Sequence, residues 1–373
     1  MKVILVTHGK VNPKGHNGIS RVVYYTTKYL RKNGVDCEIW SVVDGIDKET
    51  IINRGEGVNV RCFPRVKLSG EKSDICKKLI KEKDSIDLVH FHMPWLMDKL
   101  PVAKVCREND IPYVVTGHSA YNYNQKQSWK MKLGRLYEIP FLNKATAIHA
   151  ITLDEKQHFK EYGINTDAFV VSNSVEDNRN KLNKETRKSE NINRFLFMGE
   201  IRPQKNIIGL VEAISLLDKD IRDSLKIDIV GPDSNGEMKR CLAKAEQLGV
   251  KSNINYHGAV FDSERYDYFG NADVYITPSL SDVISLSAIE AMSYGIPEVA
   301  TKQSDVSSLK DDGFLVICDN SPKELARGIT EMIDKKSDWA KMGENARKTY
   351  EKNFMWDSNI LKLIDNYKRI ING

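Results

Sequence analysis

The sequence predicts an α/β protein of two Rossmann-like, doubly wound domains facing a central cleft. Three observations predict it. Short apolar strands alternate with helical patterns along the whole chain, a polar stretch near the middle interrupts the alternation, and 373 residues are more than one ordinary core organises. The strands are apolar on both faces, which suits parallel sheets covered by helices on each side.

The first domain opens with the strand VILVTH, a helix from about 18 to 33 and the strand DCEIWSV. Asn33 and Gly34 end that helix as a C-cap pair does. DLVHFH (87–92), YVVTGH (113–118), AIHAIT (147–152) and FVVSNS (169–174) are four further strands. Residues 176–193 are almost wholly polar and charged and form the predicted linker, which bounds a first domain of residues 1–175. The alternation resumes over a second domain, 194–354. RFLFMG, KIDIVG, INYHG, DVYITPS and GFLVI read as strands, and GLVEAISLL, 236–248, 285–294, 321–334 and 338–352 as helices. From Met355 to about Ile371 the chain is amphipathic, with Trp356, Ile360, Leu361, Leu363, Ile364 and Tyr367 at roughly helical spacing.

Composition narrows the function. Hydrophobic residues make up 41% and charged residues 29%, the balance of a globular protein. No apolar run reaches the roughly 18 residues a bilayer span needs. MKVILVTHG reads as a first strand, not a signal peptide. Six cysteines without Cys-x-x-Cys spacing point to a reducing cytoplasm and away from zinc or disulfides. The net charge of +5 is uneven, because the first 175 residues are basic and the remainder slightly acidic. A basic half suits phosphate or anionic lipid, with a solvated lysine surface as the plainer alternative.

Several chemistries find no support. Gly9 follows the first strand, yet no Gly-x-Gly-x-x-Gly accompanies it, so a dinucleotide site is a poor reading. No Gly-x-Ser-x-Gly elbow occurs. Asp218-Lys-Asp220 follows a predicted helix and reads as surface. His90 and His92 share a strand face without a third ligand at useful spacing, which favours packing over metal.

The most informative stretch is PSLSDVISLSAIEAMSYGIP (278–297). Eight positions separate Asp282 from Glu290, a little over two helical turns, which predicts both carboxylates near one helix face. The stretch resembles the signature of the retaining glycosyltransferases of family 4, with Asp282 in place of the first Glu. The resemblance runs from the first strand to the terminal helix and implies the GT-B architecture. It also implies that the terminal helix, 355–373, packs back on the first domain.

In the second domain the resemblance implies a site for a nucleoside diphosphate sugar. FLFMGEIRPQKN resembles the segment whose Arg and Lys neutralise the diphosphate. Lys205 aligns, Glu200 stands at the Arg, Asn206 stands at a Gly, and Arg202 is the candidate replacement two positions on. Cations are needed because the leaving group departs with added negative charge. Gly231 and Gly258 follow strands and permit backbone approach to the nucleotide. Glu290 is expected on the ribose hydroxyls and Asp282 on the sugar, with helix capping as the alternative for Asp282. Being one methylene shorter than Glu, Asp282 alters the sugar that fits. Further departures are Ser285 and QSDVSSLKDDG.

In the first domain HNGISRVVYYTTKYL resembles the loop and helix where Gly18 admits the phosphate and acceptor. TGHSAY resembles a Thr-x-His-Asp loop, with Ser119 at the Asp, and implies His118 near the transferred sugar. The basic, Trp-bearing segment 125–145 suits an anionic membrane surface, with a half-buried helix as the alternative.

The reaction implied is transfer of a hexose from a UDP- or GDP-linked donor to a saccharide or undecaprenyl-linked saccharide, with retention and without metal or cofactor. No nucleic acid is expected. The expected setting is bacterial surface polysaccharide assembly, in the cytoplasm or on the inner membrane face. Two alternatives stay open: a binding subunit without turnover, and a nucleotide-sugar epimerase of the same fold.

Overall fold

The computed structural model describes residues 1–15, 17–65, 72–121, 129–182, 192–261 and 263–373, excepting the side chains of 129–131. His16, half of the predicted linker (183–191) and the start of the basic segment, Lys126 included, lie outside the described residues.

The chain divides into two units, Met1–Asn173 with Trp356–Gly373, and Ser174–Met355. In chain order the first contains β1 (Lys2–His8), α1 (Gly18–Lys32), β2 (Asp36–Val43), β3 (Thr50–Asn53), β4 (Asn59–Pro64), α2 (Asp74–Glu82), β5 (Leu88–Phe91), α3 (Lys99–Glu108), β6 (Tyr113–Thr116), α4 (Trp129–Asn143), β7 (Ala147–Ala150), α5 (Leu153–Glu161) and β8 (Ala168–Val170). Its sheet runs β3-β4-β2-β1-β5-β6-β7-β8. Every pairing is parallel except β3 with β4. The central strands β5, β6 and β7 are buried at every position, which explains their mostly apolar sequences. The sequence reading passed over β3 and β4. They form a hairpin at the sheet edge, and β3 is mostly exposed, so TIIN carries little apolar signal.

The second unit contains β9 (Asn193–Met198), α6 (Ile207–Ser215), α7 (Lys219–Ser224), β10 (Leu225–Val230), α8 (Glu237–Gln247), β11 (Ile254–Gly258), α9 (Glu264–Asn271), β12 (Val274–Thr277), α10 (Leu286–Tyr294), β13 (Glu298–Thr301), β14 (Leu315–Cys318), α11 (Pro322–Asp334) and α12 (Trp339–Asn353). All six strands are parallel, in the order β11-β10-β9-β12-β13-β14. Strand order reverses at β9, and ligands of open α/β sheets bind outside the carboxyl ends of strands at such a switch.

The last helix, α13 (Trp356–Asn372), belongs to the first unit. Trp356, Ile360, Leu363, Ile364 and Tyr367 are buried at successive turns, each such side chain contributing about 1.5–3 kcal/mol. Trp356 stacks on Tyr29 of α1, ring centroids 4.8 Å apart. Leu361, read from sequence as part of this stripe, is exposed, because its position turns it away from the buried face. The unit boundary falls at Ser174, ahead of the residue 175 expected from composition. Val175 forms a parallel bridge with Met355, and Asp177 pairs with Arg347 of α12, so the start of the polar stretch is built into the second unit.

Candidate active site

The carboxyl edge of the second sheet collects most of the residues singled out above. Gly199 follows β9 and Gly231 follows β10, and Gly231 donates its N–H to the carbonyl of Gly258, the end of β11, at 2.7 Å. Gly231 has φ +147°, and a Cβ there would stand 1.8 Å from the Gly199 carbonyl oxygen. The three strand ends therefore close on one another only because this residue is glycine.

After β9 the chain makes a short turn over Pro203–Lys205 and enters α6 through Asn206. Asn206 has φ +55° and ψ +35°, the left-handed conformation that glycine and asparagine tolerate best. This accounts for asparagine where the family pattern has glycine. Its amide donates to the carbonyls of Pro278 and Asn320, each at 3.0 Å. Gly209 leaves room for that side chain, since a Cβ on it would lie 2.5 Å from Asn206 Oδ1. The turn is thereby tied to the loop after β12, which is bound a second time by Leu280 N–H donating to the Gln204 carbonyl at 2.8 Å.

That double tie brings Lys205 to Asp282. Lys205 Nζ donates to Asp282 Oδ2, and the two side chains are mostly shielded from solvent. Asp282 does not lie on a helix, as its spacing from Glu290 had predicted. It sits in an extended segment whose backbone bridges to Ser304, and α10 begins only at Leu286. Nor does it cap that helix. Ser285 is the N-cap, accepting from Ala288 N–H at 3.1 Å, which gives the departure at position 285 a structural use. Ser287 donates to the Met198 carbonyl at 2.7 Å and holds the first turn of α10 against the end of β9.

Glu290 lies in α10 among buried neighbours and is itself 7% exposed. Its carboxylate forms an ion pair with Arg265 of α9, a residue the sequence reading missed. A lone arginine near the start of a polar helix carries no pattern that marks it. Arg202 is more than half exposed and paired with Glu200, so the candidate second cation is already held by the acid at the expected Arg position.

A second overlooked residue is Glu298 of β13, fully buried, with Thr277 Oγ1 donating to its Oε1. Burial, with the Asp282 charge adding to it, pushes this carboxyl up to about 8, so it is mainly protonated at neutral pH. A lone acid in the apolar run IPEVA was the available signal.

In the first unit, Gly18 opens α1, and the Asn17 side chain caps it by accepting from Ser20 N–H at 3.2 Å. His118 follows β6 with φ +50°, and Ser119 has φ +62°, two consecutive left-handed residues that are not glycine. Buried Glu155 of α5 supports them, accepting from Ser119 N–H at 2.6 Å and Ile151 N–H at 2.7 Å. His118 Nε2 meets His92 Nδ1 at 2.8 Å. His90 has both nitrogens engaged, with Tyr367 of α13 at 2.5 Å and Thr116 at 2.6 Å. His149 meets the same Thr116 at 2.9 Å and the Val171 carbonyl at 2.8 Å. Burial pushes all four imidazoles down, His118 to about 3 and His149 to about 4. Among the described residues, no three His, Cys, Asp or Glu side chains gather as a metal-ligand set. No described helix is long and apolar enough to cross a membrane.

The model of Glycosyl transferases group 1 matches residues 178–349, and that of Glycosyltransferase Family 4 matches residues 16–179. An uncharacterized glycosyltransferase of Methanocaldococcus jannaschii is 26% identical over 79% of this chain and 78% of its own. The O-antigen chain mannosyltransferase C of Escherichia coli is 24% identical over 96% of both chains. The structure of HepE from Anabaena in complex with UDP matches with TM-score 0.77 at 16% identity, covering 99% of this chain and 100% of that one.

Proposed function

Because the chain belongs to the group 1, family 4 glycosyltransferases and has their GT-B fold, we propose that it is a retaining hexosyltransferase that needs no metal and no cofactor. Its donor is a nucleoside diphosphate sugar and its acceptor a saccharide or lipid-linked saccharide. The observation that carries this reading is the convergence of Lys205, Asp282 and the start of α10 at the switch of the second sheet. A cation, a carboxylate and a helix N-terminus there match a diphosphate joined to a polyhydroxyl sugar.

In the proposed reaction the bond from the anomeric carbon to the diphosphate oxygen breaks, and the diphosphate leaves with an added negative charge. Lys205 turns from Asp282 to the diphosphate, and the first turn of α10 adds its dipole. Asp282 accepts from hydroxyls of the sugar, and Glu290 from those of the ribose once Arg265 shares or releases it. Gly231 and Gly258 let backbone approach the nucleotide. In this proposal Gly18 is assigned to the phosphate and acceptor and His118 to the transferred sugar. The acceptor oxygen bonds to the carbon on the face the diphosphate left, and its proton passes to a phosphate oxygen. No protein base is required.

The Escherichia coli relative supports a place in surface polysaccharide assembly, and the basic first half supports work at an anionic cytoplasmic membrane face. A panel of nucleotide sugars with saccharide acceptors, read by release of nucleoside diphosphate, tests the activity. Sedimentation with anionic liposomes at low salt tests the membrane, and a protein left in the supernatant contradicts it.

One observation favours a second reading, a nucleotide-sugar-binding subunit without turnover. Glu200 replaces a cation and occupies Arg202, which leaves the diphosphate side with less positive charge. Saturable binding of a nucleotide sugar with no release on any acceptor would establish it.

A further inference from the structure

The contact between His92 and His118 carries information about the proton it holds. Both rings are neutral, since burial keeps them so, and a single proton lies between His92 Nδ1 and His118 Nε2 at 2.8 Å. If His118 donates it, His92 must keep its own proton on Nε2. Among the described residues that buried nitrogen has no partner. If His92 donates it, Nε2 is left as a bare lone pair. An orphaned buried N–H is the rarer and more costly defect.

Resting on the reading that His118 meets the transferred sugar, we infer that His92 is a positioning residue that fixes His118 as the tautomer protonated on Nδ1. His118 then offers an N–H to the sugar and cannot accept from it. Among the described residues no other group bonds to the His118 ring, so His92 alone sets the tautomer.

The rest of the arrangement holds His92 in place. Its ring lies 4.2 Å from that of His90, centroid to centroid. His90 in turn is pinned by Tyr367 and Thr116. On the other side, Glu155 fixes the left-handed backbone that carries His118. The Asp-x-x-His-x-His segment thus has two distinct uses: the first histidine locks to α13, and the second orients the histidine of the following loop.

The test uses the full chain labelled with 15N at the imidazoles. Long-range 1H–15N spectra at neutral pH assign each tautomer, and the His118 signals are identified by their loss in His118→Gln. The wild type should show His118 protonated on Nδ1 only. His92→Leu removes the partner, and His118 should move to a mixture of tautomers. His92→Asn keeps a donor near the Nδ1 position and should restore the wild-type pattern. With a nucleotide sugar and acceptor, His92→Leu should lower kcat by about 10- to 100-fold with donor KM changed less than about threefold, and His92→Asn should recover most of that loss.

Protonation of wild-type His118 on Nε2, or an unchanged His118 spectrum in His92→Leu, overturns the inference. Equal losses in the Leu and Asn variants do the same. If His92→Leu does not fold, the wild-type spectrum and His92→Asn decide. If no donor is turned over by the wild type, the proposed activity fails and the spectra still decide the role of His92.

Discussion

Lys205 and Asp282, 77 residues apart in sequence, form an ion pair at the carboxyl edge of the second sheet. The pair keeps a cation and an acid neutralised together, and in the proposed reaction the donor divides them. Asp282→Glu lengthens the acid by one methylene, about 1.5 Å of reach. The ratio of kcat/KM for two nucleotide sugars differing at one hydroxyl should change by about tenfold or more. An unchanged ratio removes Asp282 from sugar recognition.

Arg265 and Glu290 form the second pair, and Glu290 is the more buried partner. Arg265→Ala leaves that carboxylate without its cation. The cost should be about 1–3 kcal/mol in stability, read as a lower denaturant midpoint at constant slope. Nucleotide affinity should move as well, because the proposed function gives Arg265 and the ribose one acceptor. An Arg265→Ala protein with wild-type stability and affinity would show the pair to be incidental.

Asn206 serves both as a left-handed residue and as a tie between two loops. Asn206→Gly keeps the backbone and loses the tie, whereas Asn206→Ala loses both. The alanine variant should be less stable than the glycine variant by about 1 kcal/mol. Thermal unfolding of the two proteins side by side checks this.

Acid should act on the first unit and alkali on the second. His118 and His149 titrate in the native state at about 3 and about 4, with His90 and His92 also lowered, whereas the unfolded chain titrates near 6.5. Below 6.5 the unfolded state binds more protons, so stability falls as pH drops, by up to about 1.4 kcal/mol per pH unit for each proton. Glu298 has the opposite sign. Its native value of about 8 against 4.5 means the native state holds the extra proton, and stability falls as pH rises between them. Calorimetric scans from pH 4.5 to 8.5 should therefore show one transition rising to about pH 6.5 and another declining toward pH 8. Glu298→Gln should flatten the second alone.

Most of the parallel strands were legible because burial on both faces favours apolar residues, as in β6, but the parallel strands β4 and β13 were passed over. The glycine-ended strands were legible too, since close approach of backbones admits little else, as at Gly231. The carboxylates at 282 and 290 stood out in an apolar stretch, but their spacing was read as helical, and only Glu290 is on the helix. Periodicity could not detect that Ser285 starts α10 after an extended segment. Arg265 and Glu155 stayed invisible because each has a partner far away in sequence, and a single sequence has no period that encodes a partner. β3 was missed because an exposed edge strand need not be apolar.

The central claim is that Lys205 and Glu290 hold the diphosphate and the ribose of one nucleoside diphosphate sugar. The direct measurement is nucleotide release over a donor panel by the wild type, Lys205→Ala and Glu290→Ala, with folding verified by thermal unfolding. Lys205→Ala should lose about 100- to 1,000-fold in kcat, and Glu290→Ala should lose most of the donor affinity. Wild-type release and affinity in both folded variants would contradict the account.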